Sequence, residues 1–110
     1  MADDRMALPQ GTLDLLILKT LSAGPLHGYR IAQKIQQLSD EVLRIEEGSL
    51  YPALHRMTTE KWLEAKWSTT ETNRKARFYK ITAAGVRQLE REERRWTELI
   101  EAVGKALQFA

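Results

Sequence analysis

The spacing of apolar residues predicts three helices in the first half of the chain. In the first helix the apolar stripe is unusually wide, so we expect it to pack on two sides; its apolar residues are Leu13, Leu15, Leu16, Ile17, Leu18 and Leu21. A second helix is predicted from about His27 to Leu38, with a buried stripe of Tyr29, Ala32, Ile35 and Leu38. A third fits Ser49 to about Glu60, with Leu50, Ala53, Leu54 and Met57 facing inward.

Alternating apolar and polar residues predict short strands around the third helix. Val42 to Ile45 alternates briefly before it, and Leu63, Ala65 and Trp67 alternate with polar residues after it. A polar connection separates this strand from a second alternating segment that ends at Ile81. Two strands joined in this way predict a hairpin. Because the connection contains no glycine, we expect an open loop rather than a tight turn.

The last predicted element is a long helix that begins after Thr82, a good N-cap, and runs to about Leu107. Such a helix measures about 38 Å, against an expected radius of gyration of about 13 Å for the chain, so it must project from the body. Its apolar stripe then needs a second molecule to cover it, and we predict a homodimer. The expected interface residues are Leu89, Trp96, Leu99, Ile100, Val103 and Leu107.

This order of elements is that of a winged helix-turn-helix with a long C-terminal dimerisation helix, in a mostly helical α+β fold. Residues 1–82 form the predicted DNA-binding domain, whose first helix also enters the dimer interface, and 83–110 form the dimerisation helix. In such a fold the third helix enters the major groove of double-stranded DNA and the hairpin forms the wing. Nothing in the pattern indicates an internal repeat or a linker.

The distribution of charge supports a local nucleic-acid site. Lys and Arg number 17 and Asp and Glu 15, so the net charge is only +2 and cannot by itself attract DNA. The predicted wing nevertheless concentrates cations around one acidic residue, Glu71. We expect its polar residues to contact phosphates or the minor groove; they are Asn73, Arg74, Lys75 and Arg77.

Four residues of the third helix are the expected exposed hydrogen-bonding set: Ser49, Tyr51, His55 and Arg56. Arg56 and His55 are predicted to reach base edges, since arginine reads guanine through O6 and N7. Ser49 and Tyr51 suit phosphates. Alternatives stay open: Ser49 is equally suited to capping the helix, Tyr51 to packing against the hairpin and His55 to a plain surface position.

Several classes of function are not expected. The chain has no cysteine, which excludes disulfides, zinc fingers and thiol nucleophiles. Its two histidines lack carboxylates at ligand spacing, so we expect no metal, and no catalytic triad or phosphate loop indicates an enzyme or a cofactor. The longest apolar run is too short to cross a membrane, and the acidic residues within 1–5 do not fit a signal peptide, so we expect a cytoplasmic protein.

Trp96 and Trp67 leave two questions open. At a two-fold axis Trp96 either fills the interface as a large hydrophobe or pairs with its symmetry mate to form a slot for a planar aromatic ligand. Trp67, like Trp62, is most simply a residue of the core or of wing packing. A rival to DNA binding is a winged-helix adaptor whose third helix docks a protein, although such a helix would favour apolar residues over Tyr51 and His55.

Four motifs, in order, resemble the PadR-type transcriptional regulators in their short form with one C-terminal dimerisation helix. They are residues 11–18 (GTLDLLIL), 26–29 (LHGY), 48–54 (GSLYPAL) and 78–85 (FYKITAAG). The resemblance implies a homodimeric repressor of an inverted-repeat operator that is released by a small aromatic or hydrophobic effector. It also implies a pore at the dimer centre; Trp96, Leu99, Leu15 and Lys19 are the expected effector-binding residues.

Lys61 departs from the family pattern, which usually has glycine before the first wing strand. If the backbone there requires a positive φ, lysine costs on the order of 1 kcal/mol relative to glycine. The angle between the third helix and the wing depends on this turn. A repressor without any small-molecule effector also remains consistent with the sequence.

Overall fold

The structure, a computed structural model, describes residues 6–108. The segment 1–5, on which the signal-peptide expectation rests, lies outside the described residues, as do the last two residues. The helices are α1 (Gln10–Leu21), α2 (Gly28–Leu38), α3 (Glu47–Thr59) and α4 (Ala83–Gln108). The strands are β1 (Met6–Ala7), β2 (Leu26–His27), β3 (Leu43–Arg44), β4 (Leu63–Thr69) and β5 (Lys75–Ile81).

The predicted winged helix-turn-helix is confirmed. β4 and β5 form an antiparallel hairpin in register from Leu63 opposite Ile81 to Thr69 opposite Lys75. With the connecting residues 70–74, this hairpin is the wing. β2 adds a third antiparallel strand on the free side of β5, so the sheet order is β2-β5-β4, while β1 and β3 form a separate parallel pair. The wing loop is open, as its lack of glycine predicts, and Asn73 adopts the left-handed region at φ 62°.

The core is built around α1. Ile17 and Leu18 have no exposed surface, and α1 packs against α2, α3, α4 and β5. The wide apolar stripe of this helix therefore faces more than one neighbour, as its sequence predicts. The other fully enclosed side chains come from α1, α2, α3 and the root of the wing: Leu21, Ile31, Leu50, Leu54, Met57 and Leu63.

The predicted buried stripe of α2 is wrong in part. Its buried residues are Gly28, Ile31 and Ile35, whereas Tyr29 and Leu38 are 65% and 73% exposed. The buried face of α2 is therefore rotated about the helix axis from the predicted face, which included Tyr29 and Leu38. At the start of this helix, a Cβ on Gly28 would lie 2.7 Å from Cε1 of Tyr51 on α3. A larger residue at this position would require the Tyr51 ring to shift.

The predicted N-cap of α3 is also wrong. The helix begins at Glu47, and Glu46 is its N-cap without a side-chain capping bond. Ser49 lies within the first turn, where its backbone N–H donates to the carbonyl oxygen of Glu46 at 3.0 Å. No side chain therefore caps the start of α3. The Ser49 side chain is exposed and available for another role.

The turn between α3 and β4 is tied to the start of α4. Lys61 has φ 65°, the left-handed region in which the family pattern favours glycine. Thr82 caps α4 as predicted, since its Oγ1 accepts from the Gly85 N–H at 3.0 Å. The same hydroxyl donates to the Lys61 carbonyl oxygen at 2.7 Å. The strained turn is thus held by the helix that follows the wing.

Only the first turns of α4 pack on the body. Leu89 is 5% exposed and belongs to the core of the single chain, so its assignment to the dimer interface is corrected. The remainder projects, and the chain measures 54 × 40 × 21 Å with a radius of gyration of 15.4 Å. Within residues 6–108, none of the helices has the length and apolar character that a membrane crossing requires.

Candidate nucleic-acid interface

The predicted wing residues lie at its tip and along one of its faces. Arg74 and Asn73 are exposed in the loop. Lys75 pairs with Thr69 and Arg77 with Trp67 across the hairpin, so both cations share a face with Trp67. Trp67 is 67% exposed, which corrects the expectation that it packs in the core or against the wing; Trp62 does pack against the core. The wing therefore presents cations beside an exposed indole.

The outer face of α3 carries three of its four predicted residues. Ser49, Tyr51 and His55 are exposed, because the helix buries Leu50, Ala53, Leu54 and Met57 on the opposite side. Partial burial of the Tyr51 ring raises the pKa of its hydroxyl above the ordinary value, and the nearby Glu47 and Tyr79 raise it further. Its hydroxyl is therefore a neutral hydrogen-bond donor over the whole physiological range.

Arg56 lines a groove together with Ser49 and Gln10, and its side chain is 36% exposed. Its Nη1 and Nη2 donate to Oδ2 and Oδ1 of Asp14 on α1, each at 2.8 Å. With its amide oxygen turned toward the guanidinium, Gln10 also accepts from Nε and Nη2 at 3.2 Å. The hydrogen bond with Asp14 raises the pKa of Arg56, so its guanidinium stays charged. The predicted base reader is instead engaged with α1.

A groove between α2 and the wing adds residues that sequence reasoning missed. It has a volume of about 880 Å³. Its polar lining includes Tyr29, Arg30 and Gln33 of α2 and, from the wing, Thr70, Glu71, Arg74 and Lys75. Arg30 Nη1 donates to Gln33 Oε1 at 2.8 Å, which holds the guanidinium at the rim. Hydrophobic periodicity does not predict this groove, because it counts tyrosine as apolar and therefore predicts that Tyr29 lies in the core.

The groove is continuous with the recognition surface of α3. Tyr29 and Gln33 also line a smaller depression whose other wall includes Tyr51. Beneath the groove, the rings of His27 and Phe78 meet edge to face at 5.3 Å, joining the start of α2 to β5. The exposed side of α3, the start of α2 and the tip of the wing thus form one surface, which we call the basic face. It consists of Ser49, Tyr51 and His55 of α3, Tyr29, Arg30 and Gln33 of α2, and the wing residues 70–75.

The histidines have structural surroundings rather than ligand geometry. His27 is the N-cap of α2, and its Nδ1 accepts from the Arg30 N–H at 3.4 Å. His55 lies exposed on α3. Among the residues that the structure describes, no three histidine or acidic side chains come together in a way that would hold a metal ion.

The second half of α4 exposes a continuous apolar stripe, with exposed fractions from 40% for Trp96 to 69% for Leu107. We call this the α4 stripe; it consists of Trp96, Leu99, Ile100, Val103 and Leu107. Lys19 on α1 pairs with Glu93, one turn before Trp96, at 3.3 Å. Leu15 is buried in the core, so it offers little surface to an effector within a single chain.

Comparison with known proteins gives one family. The model of the transcriptional regulator PadR-like family matches residues 17–91. A PadR-like transcriptional regulator from Bacillus cereus has a similar structure, with a TM-score of 0.76, 31% identity, and coverage of 90% of this chain and 94% of that one. A transcriptional regulator from Clostridium thermocellum gives a TM-score of 0.80 at 27% identity, covering 87% and 93%.

One sequence relative is much longer than this chain. An uncharacterised 37.1 kDa protein in a transposon of Streptomyces fradiae is 42% identical over 80 residues. The match covers 71% of this chain and 21% of the relative, so the chain spans about a fifth of that protein's length.

Proposed function

Because the chain belongs to the PadR-like family of transcriptional regulators, we propose that it is a homodimeric repressor that binds a pseudo-palindromic operator. Members of this family bind DNA, are generally dimeric and are transcription regulators rather than enzymes. The proposal for this chain concerns the residues that contact DNA, the symmetry of the site and the means of release.

The observation that carries the proposal is the basic face. In a winged helix the recognition helix enters the major groove and the wing reaches the next minor groove, so the backbone between them passes the start of α2. There Arg30, Arg74 and Lys75 line one groove, together with the acidic Glu71. We assign His55 to base edges and Ser49 and Tyr51 to phosphates or base edges. Asn73 and Arg77 extend the contacts along the wing.

The α4 stripe supports the dimer. Five large apolar side chains at helical spacing remain exposed in the single chain, and a second copy of α4 would bury them. Two-fold symmetry then places two recognition helices on one side of DNA, about 34 Å apart when the half-sites are one turn apart. This is why the operator is proposed to be a pseudo-palindrome.

For release, we infer that a planar aromatic effector enters between the two copies of Trp96, with Leu99 beside it. An effector changes DNA affinity only through its different affinities for two dimer geometries. Filling this region would change the angle between subunits and hence the spacing of the recognition helices. We include Lys19 in the proposed site because its ion pair with Glu93 lies one turn before Trp96 on α4.

The test is an electrophoretic mobility shift with DNA upstream of the protein's own gene over a series of salt concentrations. Removing Arg74 and Lys75 together, as Arg74→Ala with Lys75→Ala, should weaken binding and make the slope of log K against log salt shallower by about two, because two phosphate contacts are lost.

The matched control removes two exposed cations from α4, Arg87→Ala with Arg91→Ala, and should leave the slope unchanged. An unchanged slope in the wing variant would remove the wing from the DNA contacts. Failure of the unaltered protein to shift any DNA at either low or high salt would instead favour the adaptor function.

A further inference from the structure

Arg56 and Asp14 form an ion pair on the flank of α3 that also carries Ser49. The guanidinium meets the carboxylate end on, through two hydrogen bonds of 2.8 Å, and the two residues are 42 positions apart in the chain. The Asp14 side chain is only 13% exposed. Such a fork-to-fork pair fixes direction as well as distance, because both partners are planar.

The pair joins the recognition helix to the helix at the centre of the core. Arg56 lies in the last turn of α3 and Asp14 in the first half of α1. Elsewhere α3 meets α1 through apolar side chains, which resist separation but allow small rotations about the helix axis. A planar bidentate pair on one flank of α3 restricts that rotation. Gln10, one turn before Asp14, holds the guanidinium from another side.

We propose that Asp14 and Arg56 are positioning residues for DNA recognition: their bond sets the rotation of α3 and thereby the direction in which Ser49, Tyr51 and His55 meet the major groove. This inference rests on the proposed function, since positioning matters only if the outer face of α3 contacts DNA. It replaces the interpretation of Arg56 as a reader of guanine.

Two features argue against a direct DNA contact by Arg56. Reaching a base would require the guanidinium to leave a carboxylate that is largely shielded from water, and an unpaired shielded charge is costly. A bare Asp14 beside the recognition helix would also repel phosphates. Arg56 therefore serves binding best where it is, by neutralising Asp14 and holding α3.

The experiment is a double-mutant cycle on DNA affinity, measured by fluorescence anisotropy with the upstream DNA over a salt series. The variants are Asp14→Asn, Arg56→Gln and both together. If the pair positions α3, each single change weakens binding about tenfold, and the double change is no worse than either single one, because all three remove the same bond. The salt slope stays that of the unaltered protein, because no phosphate contact is lost.

The sign of the Asp14→Asn effect separates positioning from direct contact. Removing an anion near DNA should tighten binding on simple electrostatic grounds, so weaker binding identifies a positioning role. The matched control Glu64→Gln removes one exposed negative charge from the wing strand β4 and should not weaken binding. An exchange of the partners, Asp14→Arg with Arg56→Asp, should recover part of the affinity lost in the single variants.

Three results would overturn the proposal. The first is Asp14→Asn binding as tightly as the unaltered protein or more tightly. The second is a slope that becomes shallower by about one in Arg56→Gln, which would mark a phosphate contact. The third is additive losses in the double variant. Far-UV circular dichroism of each variant confirms that the helices are retained.

A measurement without DNA separates this inference from the proposed function. Amide hydrogen exchange in α3 should be faster in Asp14→Asn than in the unaltered protein, while exchange in β4 and β5 should not change. Unchanged exchange in α3 would refute the positioning role even if the protein binds no DNA. Absence of DNA binding by the unaltered protein, together with faster exchange in Asp14→Asn, would refute only the proposed function.

Discussion

The two halves of α4 carry the same kind of sequence and have opposite surroundings. In the first half, Gly85 and Leu89 are buried against the body of their own chain. In the second half, every large apolar side chain of the α4 stripe is exposed. The amphipathic pattern thus continues past the point at which the body ends. Periodicity therefore identifies the face of a helix that is covered, but not which molecule covers it.

The boundary between the halves is set by how closely α4 can approach the wing root. A Cβ at Gly85 would overlap the carbonyl oxygen of Trp62 and crowd the side chain of Ile81, so glycine is needed for that approach. Leu89, one turn further, still reaches the core. Beyond it the helix axis leaves the body, and from Trp96 onward its apolar face has only solvent in the single chain.

The largest expected effect comes from placing a charge in the exposed half. In the proposed dimer, Ile100→Asp would bury a carboxylate from each copy in the interface without a partner, which costs several kcal/mol. The dimer dissociation constant should rise at least about a thousandfold, and affinity for operator DNA should fall with it. Sedimentation velocity across a concentration series measures the first effect.

The matched change in the buried half is Leu89→Ala. It should lower the free energy of unfolding by about 2–5 kcal/mol, the usual loss for a large core side chain, while surviving folded chains still dimerise. Urea denaturation at several protein concentrations separates the two cases. A Leu89→Ala chain that still dimerises keeps a midpoint that rises with concentration, whereas a chain that no longer dimerises has a midpoint independent of concentration. If Ile100→Asp remained dimeric at micromolar concentration, the contrast between the halves would be wrong.

A smaller, opposite effect is expected at the turn that anchors the first half. Lys61→Gly relieves the left-handed backbone at φ 65° and should raise the free energy of unfolding by about 0.5–1 kcal/mol, after allowing for the greater freedom of glycine in the unfolded chain. The dimer dissociation constant should not change. Denaturation and sedimentation on the same samples test both statements, and a loss of stability would mean that the lysine conformation is not strained.

The smallest expected effect concerns ligand binding by the exposed half. Planar aromatic compounds should quench tryptophan fluorescence in the unaltered protein, and the quenching should be strongly reduced in Trp96→Ala. Trp67→Ala is the control, because Trp67 is the more exposed residue and lies on the wing. Equal quenching in all three proteins, or none in any, would count against a slot at Trp96.

Much of the fold followed from patterns that depend on one element at a time. The hairpin, the open wing loop, the Thr82 cap and the long last helix each rest on local periodicity or backbone chemistry, and each is confirmed. The backbone strain at Lys61 also follows from the sequence. Lys61 stands where the family usually has glycine, which is favoured at positive φ, and Lys61 does adopt a positive φ.

The errors arose where a residue's environment is set by a distant segment. Tyr29 has the spacing of a core residue, but it is 65% exposed and lines the groove that α2 shares with the wing. Arg56 has the chemistry of a base reader, but Asp14, far away in sequence, holds it. Leu89 fits the heptad spacing of Trp96 and Val103, yet it packs in its own core. Single-sequence spacing contains none of these tertiary contacts.

The pairing of β2 with β5 has a consequence for how such a protein can change over time. Leu26 and His27 join the root of the wing to the residue before α2, so the inclination of the wing is fixed by the body. The loop 70–74 lies at the far end and shares no pairing with the body. Insertions in that loop therefore lengthen the wing without changing its angle to the body. The length and the angle of the wing can thus change independently during evolution.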